Sequence, residues 1–109
     1  MDDNIEAIES GYEYLLAYAA QGRETDQGTE VRDMLTAMLD AARSISETLK
    51  DDDDEYTAVV VDDAGKSAAA IALVLRQQKI SSELVDNLNA SIHLRALLTD
   101  LFLLSETGS

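Results

Sequence analysis

Two short patterns in the chain bear on catalysis and ligand binding. The single histidine, His93, would need a glutamate three residues before it to form the Glu-x-x-His pair of a carboxylate-bridged metal bundle, but Ala90 stands there. Gly65-Lys66-Ser67 matches the end of a phosphate-binding loop, whose first glycine would fall at Val60. A β-branched residue cannot make that turn. Neither pattern therefore predicts a reaction.

The acidic run Asp51–Glu55 raises the question of calcium. An EF-hand loop starting there would need glycine at its sixth position and glutamate at its twelfth, where the chain has Tyr56 and Asp62. The chain also has no cysteine, which excludes disulfides, thiolate catalysis and cysteine-based metal sites. We predict no catalytic, cofactor-binding or metal-binding residues, and a protein that is not an enzyme.

The charge of the chain is divided unequally along its length. The net charge is -14, and residues 1–63 carry all of it, whereas residues 64–109 are neutral overall. Such a field repels nucleic-acid phosphates and anionic lipid and attracts basic proteins. We expect no direct contact with nucleic acid or membrane and a possible basic protein partner. The missing cysteines and the acidic N-terminal residues favour a cytoplasmic location.

Periodic apolar residues predict helices over most of the chain. The first helix is expected from about Asp3 to Gln21, with Gly22 ending it in the left-handed conformation. The second is expected from about Thr29, as N-cap, to Leu49. The acidic run then forms a solvated loop whose charge opposes the positive N-terminal end of the next helix.

The third segment permits two interpretations. Tyr56–Val61 has the β-branched residues of a strand, but the chain offers no partner strand. Spacing along residues 55–79 favours a helix from about Glu55 to Lys79. We predict the helix and keep the strand as the alternative.

The fourth predicted helix follows Ser81 or Ser82, either of which can cap it, and runs to about Ser105. It is apolar over most of its circumference, and its polar strip consists of Asp86, Asn89, His93 and Asp100. Four helices of similar length with short loops predict an all-α fold, an antiparallel, up-down four-helix bundle that occupies residues 1–109 as one domain.

The predicted partner interface has two parts. Tyr14 and Tyr18 lie one turn apart off the main apolar stripe of the first helix, beside small residues, so they form either a groove for a partner or contacts within the chain. The fourth helix has a second apolar arc that one core cannot cover, and a homodimer would bury it. Its residues are Leu94, Leu97, Leu98 and Leu101, with Arg95 among them, which pairs with an acid or extends to solvent.

These features predict a non-enzymatic, acidic, helical protein–protein interaction module of bacterial or phage origin: a regulator, inhibitor or accessory subunit that self-associates. One alternative is an acidic mimic of nucleic acid that blocks the basic groove of a DNA- or RNA-binding protein. The second alternative is a small enzyme or metal-binding bundle. It would need inward-facing carboxylates, and those of the first two helices are expected to point outward.

Overall fold

The computed structural model describes residues 2–26 and 30–107 and contains only helices there. The helices are α1 (Asp2–Ala19), α2 (Val31–Leu49), α3 (Glu55–Leu75), α4 (Ser82–Ala90) and α5 (His93–Glu106). The all-α class is confirmed. The predicted count of four helices is wrong, because this part of the chain forms five, and the up-down four-helix arrangement is not confirmed.

The first helix packs closely against the second. α1 ends at Ala19, and Gly22 follows with a φ of 68°, the left-handed conformation expected there. Inside α1, Gly11 is buried against Met38 of α2, and a Cβ at position 11 would overlap the Met38 side chain. The two helices therefore approach closely because residue 11 has no side chain. Asn4 adds a hydrogen bond, donating from Nδ2 to Ser44 Oγ at 3.0 Å.

The second helix buries the apolar stripe that its sequence predicts. The predicted N-cap, Thr29, lies outside the described residues, and Glu30 precedes the helix without a capping hydrogen bond from its side chain. The stripe packs against both α1 and α3. Its buried members are Val31, Leu35, Met38, Leu39, Ala42 and Ile45.

Arg32 of α2 ties the start of that helix to the end of α3. Its guanidinium donates to the main-chain oxygens of Leu75 at 3.1 Å and Gln77 at 2.8 Å, and it pairs with Asp26 at 2.5 Å. Carbonyls at the end of a helix lack partners within the helix, and Arg32 supplies one. α3 ends at Leu75, whereas the sequence predicted Lys79.

The segment Tyr56–Val61 is helical, as predicted, and the strand interpretation is wrong. The carboxylate of Asp54 caps α3 by accepting from the backbone N–H groups of Tyr56 at 3.0 Å and Thr57 at 3.2 Å. The other acids of the run are exposed. The acidic loop thus starts the helix and places negative charge at its positive end.

The predicted fourth helix is interrupted at Ile92, which has a φ of 65°. α4 ends at Ala90, and α5 begins at His93. The sequence has no glycine or proline at this point, so periodicity alone continues the helix through it. With the helix broken here, apolar residues that would lie on opposite sides of one continuous helix belong to a single core. They are Val85 and Leu88 of α4 and Leu94, Leu97 and Leu101 of α5.

Candidate protein-binding site

The two tyrosines of the predicted interface lie against the chain's own loop. Tyr18 is buried, and its hydroxyl donates to the main-chain oxygen of Ile80 at 2.6 Å. Tyr14 is half-buried and stacks on Tyr18 with ring centroids 6.3 Å apart. The guanidinium of Arg23 lies 5.6 Å from the Tyr18 ring centroid. Tyr18 therefore fastens α1 to the segment before α4 and is not available as an exposed anchor.

Most leucines of the predicted interface are, like Tyr18, buried within the single chain. Leu94, Leu97 and Leu101 are buried in the core of the single chain, and Leu98 is half-buried. The surplus apolar arc was inferred for one continuous helix, and the break at Ile92 removes most of it. Arg95 is exposed, and no ion pair to it occurs within the described residues.

One end of the fold combines apolar cavities with acidic side chains. The start of α1, the end of α2, the start of α3 and the end of α5 meet there. A cavity of about 260 Å³ lies among them, with Ile5, Leu49 and Leu104 as apolar walls and Asp2 and Asp52 as acidic ones.

Two neighbouring cavities extend this surface. One of about 410 Å³ lies between α1 and α5, where Phe102 faces Glu6 and Glu9. The other, of about 230 Å³, lies between Tyr56 and Leu103. Phe102 is 42% exposed and Leu103 is 48% exposed. We call this surface the acidic end and define it by the exposed residues Phe102 and Leu103 and the acids around them, which are Asp2, Glu6, Glu9 and Asp51–Glu55.

A pair of carboxyl groups is located between α3 and α5, beside the acidic end. Asp100 is only 7% exposed, and its Oδ1 accepts a hydrogen bond from the Tyr56 hydroxyl at 2.9 Å. Its Oδ2 is buried and has no hydrogen-bond partner among residues 2–26 and 30–107. Asp63 of α3 is the carboxyl group that acts electrostatically on Asp100. We call these two side chains the Asp63–Asp100 pair.

The environment of the pair changes its acidity. Burial and, after it, the neighbouring Asp63 carboxyl raise the pKa of Asp100 to about 6, although the hydrogen bond from Tyr56 acts in the opposite direction. The same hydrogen bond raises the pKa of Tyr56.

The predicted polar strip of the fourth helix includes Asp100, but the structure buries this side chain. Asp100 stands three residues after Leu97 and directly before Leu101, both of which are buried. The core-facing spacing of this helix therefore includes Asp100. The position of Asp100 in this spacing indicates burial, whereas its residue type indicates exposure.

A shallow cavity of about 310 Å³ adjoins the pair on the α5 side. Ile92, Ala96 and Thr99 line it together with Asp100, and Arg95 stands at its exposed rim. These residues recur every three or four positions and so lie along one side of α5. Tyr56, which borders the 230 Å³ cavity beside Leu103, donates its hydroxyl hydrogen bond to Asp100.

The patterns first considered for chemistry lie outside this site. Gly65-Lys66-Ser67 lies within α3 rather than in a loop, and Lys66 Nζ pairs with Asp62 at 3.0 Å. His93 is the first residue of α5 and is half-buried. Over the described ranges, no three His, Asp or Glu side chains gather closely enough to hold a metal ion.

Comparison with protein-family models, curated proteins and solved structures gives no match to this chain. Among the helices of the described residues, none has both the length and the apolar character needed to cross a bilayer.

Proposed function

We propose that the chain is a non-enzymatic interaction module whose acidic end binds a basic, amphipathic segment of a partner protein. As a regulator, inhibitor or accessory subunit it would act in the cytoplasm of a bacterium or of a phage-infected cell. The observation that carries the proposal is the position of two exposed apolar side chains, Phe102 and Leu103, among the acids of α1 and the 51–55 loop.

The acids and the exposed apolar side chains of the acidic end come from different halves of the chain. The acids belong to residues 1–63, which carry the whole net charge, and the apolar side chains belong to the neutral residues 64–109. Charge steers a basic partner to this end and sets its orientation, while apolar burial provides affinity. A mimic of nucleic acid would need acids without apolar cavities between them. The cavities beside Phe102 and Leu103 therefore favour an amphipathic peptide.

The test uses a short helical peptide of leucine and lysine with all leucines on one face. We expect it to bind the wild-type chain, and Phe102→Ser combined with Leu103→Ser to weaken binding at least about tenfold, because two partly exposed side chains lose their apolar contact. The matched control is Leu73→Ser. Leu73 is 53% exposed, but it lies near the end of α3 that contacts Arg32, away from the acidic end. Isothermal titration calorimetry measures each affinity.

A second peptide of the same composition, with its leucines dispersed around the helix, separates apolar docking from charge attraction. Equal affinity for both peptides would contradict the proposal and favour a purely electrostatic role, such as mimicry of nucleic acid. Equal weakening by Leu73→Ser would show that the acidic end is not the binding surface. Binding to the first peptide should also weaken as salt rises, since exposed charges are screened.

A further inference from the structure

The side of α3 that faces away from the core carries a regular pattern. Six exposed residues recur there alternately every four and every three positions, which is the spacing of the contact line in a two-stranded coiled coil. Val59 is 42% exposed and Leu73 is 53% exposed, and a Cβ at Gly65, between them, would meet no atom within 4 Å. The rest of the described chain therefore leaves this side uncovered. We call it the α3 seam, and its residues are Glu55, Val59, Asp62, Lys66, Ala69 and Leu73.

Charge changes sign from the start of α3 to its end. The acidic run Asp51–Glu55 stands at the start, and Asp62 and Asp63 follow in the first half of the helix. From residue 64 to residue 82 the chain has three basic residues, Lys66, Arg76 and Lys79, and no acidic one. A second α3 in antiparallel orientation would bring its basic end to the acidic start of the first, and the two helix dipoles would then be opposed. The order of charges is therefore complementary to itself.

We propose that the α3 seam binds the α3 seam of a second copy of this chain, in antiparallel orientation about a two-fold axis midway between Asp62 and Lys66. Asp62 then lies opposite Lys66 of the second copy, and symmetry repeats this ion pair on the other side of the axis. Val59 lies opposite Ala69 of the second copy, so that a larger side chain faces a smaller one. Leu73 lies one turn from Val59 of the second copy and adds to the apolar contact.

The same register brings the basic end of each α3 to the acidic run of the other copy. Arg76, the exposed residue directly after α3, comes beside the exposed run Asp51–Glu55 of the second copy. This local attraction opposes the repulsion between two chains that each carry a net charge of -14. Within one chain Lys66 Nζ pairs with Asp62 at 3.0 Å, and in the dimer it would stand between two such carboxylates, one from each copy.

The size of the α3 seam indicates a weak dimer. α3 has 21 residues and is about 30 Å long, and the apolar members of the seam are Val59, Ala69 and Leu73. One pair of helices of this length buries less surface than a stable dimer needs, so we expect a dissociation constant of about 10 to 100 μM. The proposal is separate from the binding of a basic partner. The acidic end shares only Glu55 with the α3 seam, and Phe102 and Leu103 belong to α5.

The test exchanges the charges of the seam and measures the mass in solution. Sedimentation equilibrium from about 5 to 500 μM, which spans the expected dissociation constant, should show the wild-type mass rising from 11.8 kDa toward twice that value. Asp62→Lys and Lys66→Asp each place like charges opposite each other, and each alone should dimerise at least about tenfold more weakly. An equimolar mixture of the two variants restores opposite charges and carries the same total charge as two wild-type chains. We expect the mixture to dimerise about as well as wild type.

Engineered cysteines test the orientation of the helices, since the chain has none of its own. On mild oxidation, a mixture of the Val59→Cys and Ala69→Cys chains should form linked dimers at least about tenfold faster than the control mixture, because the dimer holds these positions opposite each other. The control mixture combines Val59→Cys with Ala17→Cys, whose position is exposed on α1. Val59→Cys chains that link to each other faster than to Ala69→Cys chains would indicate parallel helices and overturn the proposed register.

Other outcomes also decide the proposal. A wild-type chain that remains at 11.8 kDa at every concentration overturns it. If wild type dimerises and the two charge variants alone dimerise equally well, the contact lies elsewhere and the α3 seam is again overturned. Leu73→Ser should weaken dimerisation but leave the affinity for the amphipathic peptide unchanged, which separates this proposal from that of the acidic end. Circular dichroism of each variant confirms that it is folded.

Discussion

Single residues were predictable from sequence where local geometry decides their role. Gly22 and Ser81 end and cap helices as expected, because left-handed backbone favours glycine and a free amide needs a nearby hydroxyl. Asp100 was not predictable in this way, because its role depends on Tyr56 and Asp63, which lie far away in sequence. Its spacing from Leu97 and Leu101 was the available signal, and its residue type argued against it.

The buried carboxyl makes stability depend on pH in a definite direction. The pKa of Asp100 is raised to about 6 in the folded chain, so the folded state holds more protons than the unfolded state between about pH 4 and pH 6. Stability from this group is complete below that window and is lost as pH rises through it. Asp26 acts in the opposite sense, because Arg32 lowers its pKa, and its contribution is lost only as pH falls below the usual carboxyl range.

We therefore expect Asp100→Asn to stabilise the chain at pH 7.5 by roughly 1–3 kcal/mol and to change little at pH 4.5. The amide oxygen can accept from Tyr56 as the carboxylate does, and the amide is neutral at any pH, so no charge is buried. Urea unfolding at the two pH values, with Asp62→Asn as the exposed control, measures the difference. A variant less stable than wild type at pH 7.5 would show that Asp100 is stabilising as a carboxylate.

At the scale of elements, periodicity located the helices but not their interruptions. Spacing identified α1, α2 and α3 within a few residues, because each buries one continuous stripe. The break between α4 and α5 lies at Ile92, a residue type that rarely adopts a positive φ. The break allows Leu94 and Leu97 to pack into the same core as Val85. Such packing between distant parts of the chain cannot be predicted from the local sequence.

The left-handed conformation at Ile92 should be relieved by glycine. The left-handed conformation costs a residue with a Cβ about 1 kcal/mol or more. Because Ile92 is 62% exposed, its replacement loses little packing. We expect Ile92→Gly to be about 1 kcal/mol more stable than Ile92→Ala, which corresponds to a Tm roughly 4–8 °C higher. Thermal unfolding followed by circular dichroism checks this. A less stable glycine variant would indicate one continuous helix through residue 92.

At the scale of the whole molecule, the unequal division of charge could be predicted from the sequence, but the exposed apolar residues that lie beside the acids could not. The acids of residues 1–63 could be counted directly, and their attraction for a basic partner follows from that count. The packing of the helices against one another decides which apolar residues are exposed. Leu101 is buried, whereas its neighbour Phe102 is partly exposed, and only the packing of α5 against α1 and α3 distinguishes them.

The burial of most α5 leucines limits the residues through which the predicted homodimer could form. Leu97 is 0% exposed in the single chain, so a second copy cannot contact it while the fold is closed. Any apolar contact between two copies through α5 would fall to its exposed residues, chiefly Phe102 and Leu103. Two chains would also bring together two charges of -14, which oppose association most strongly at the acidic end.

We expect Leu97→Glu to lose its helical circular dichroism, because a carboxylate without a partner in the core costs more than about 4 kcal/mol. Leu103→Glu places the same group at a half-exposed position of the same helix and should remain folded. Sedimentation equilibrium at micromolar concentration gives the mass of each folded chain, which is 11.8 kDa for a monomer. If wild type is a dimer and Leu103→Glu a monomer, the contact between copies involves the exposed face of α5. A Leu97→Glu chain that stays helical at half the wild-type mass would instead place Leu97 between two copies and contradict its position in the core.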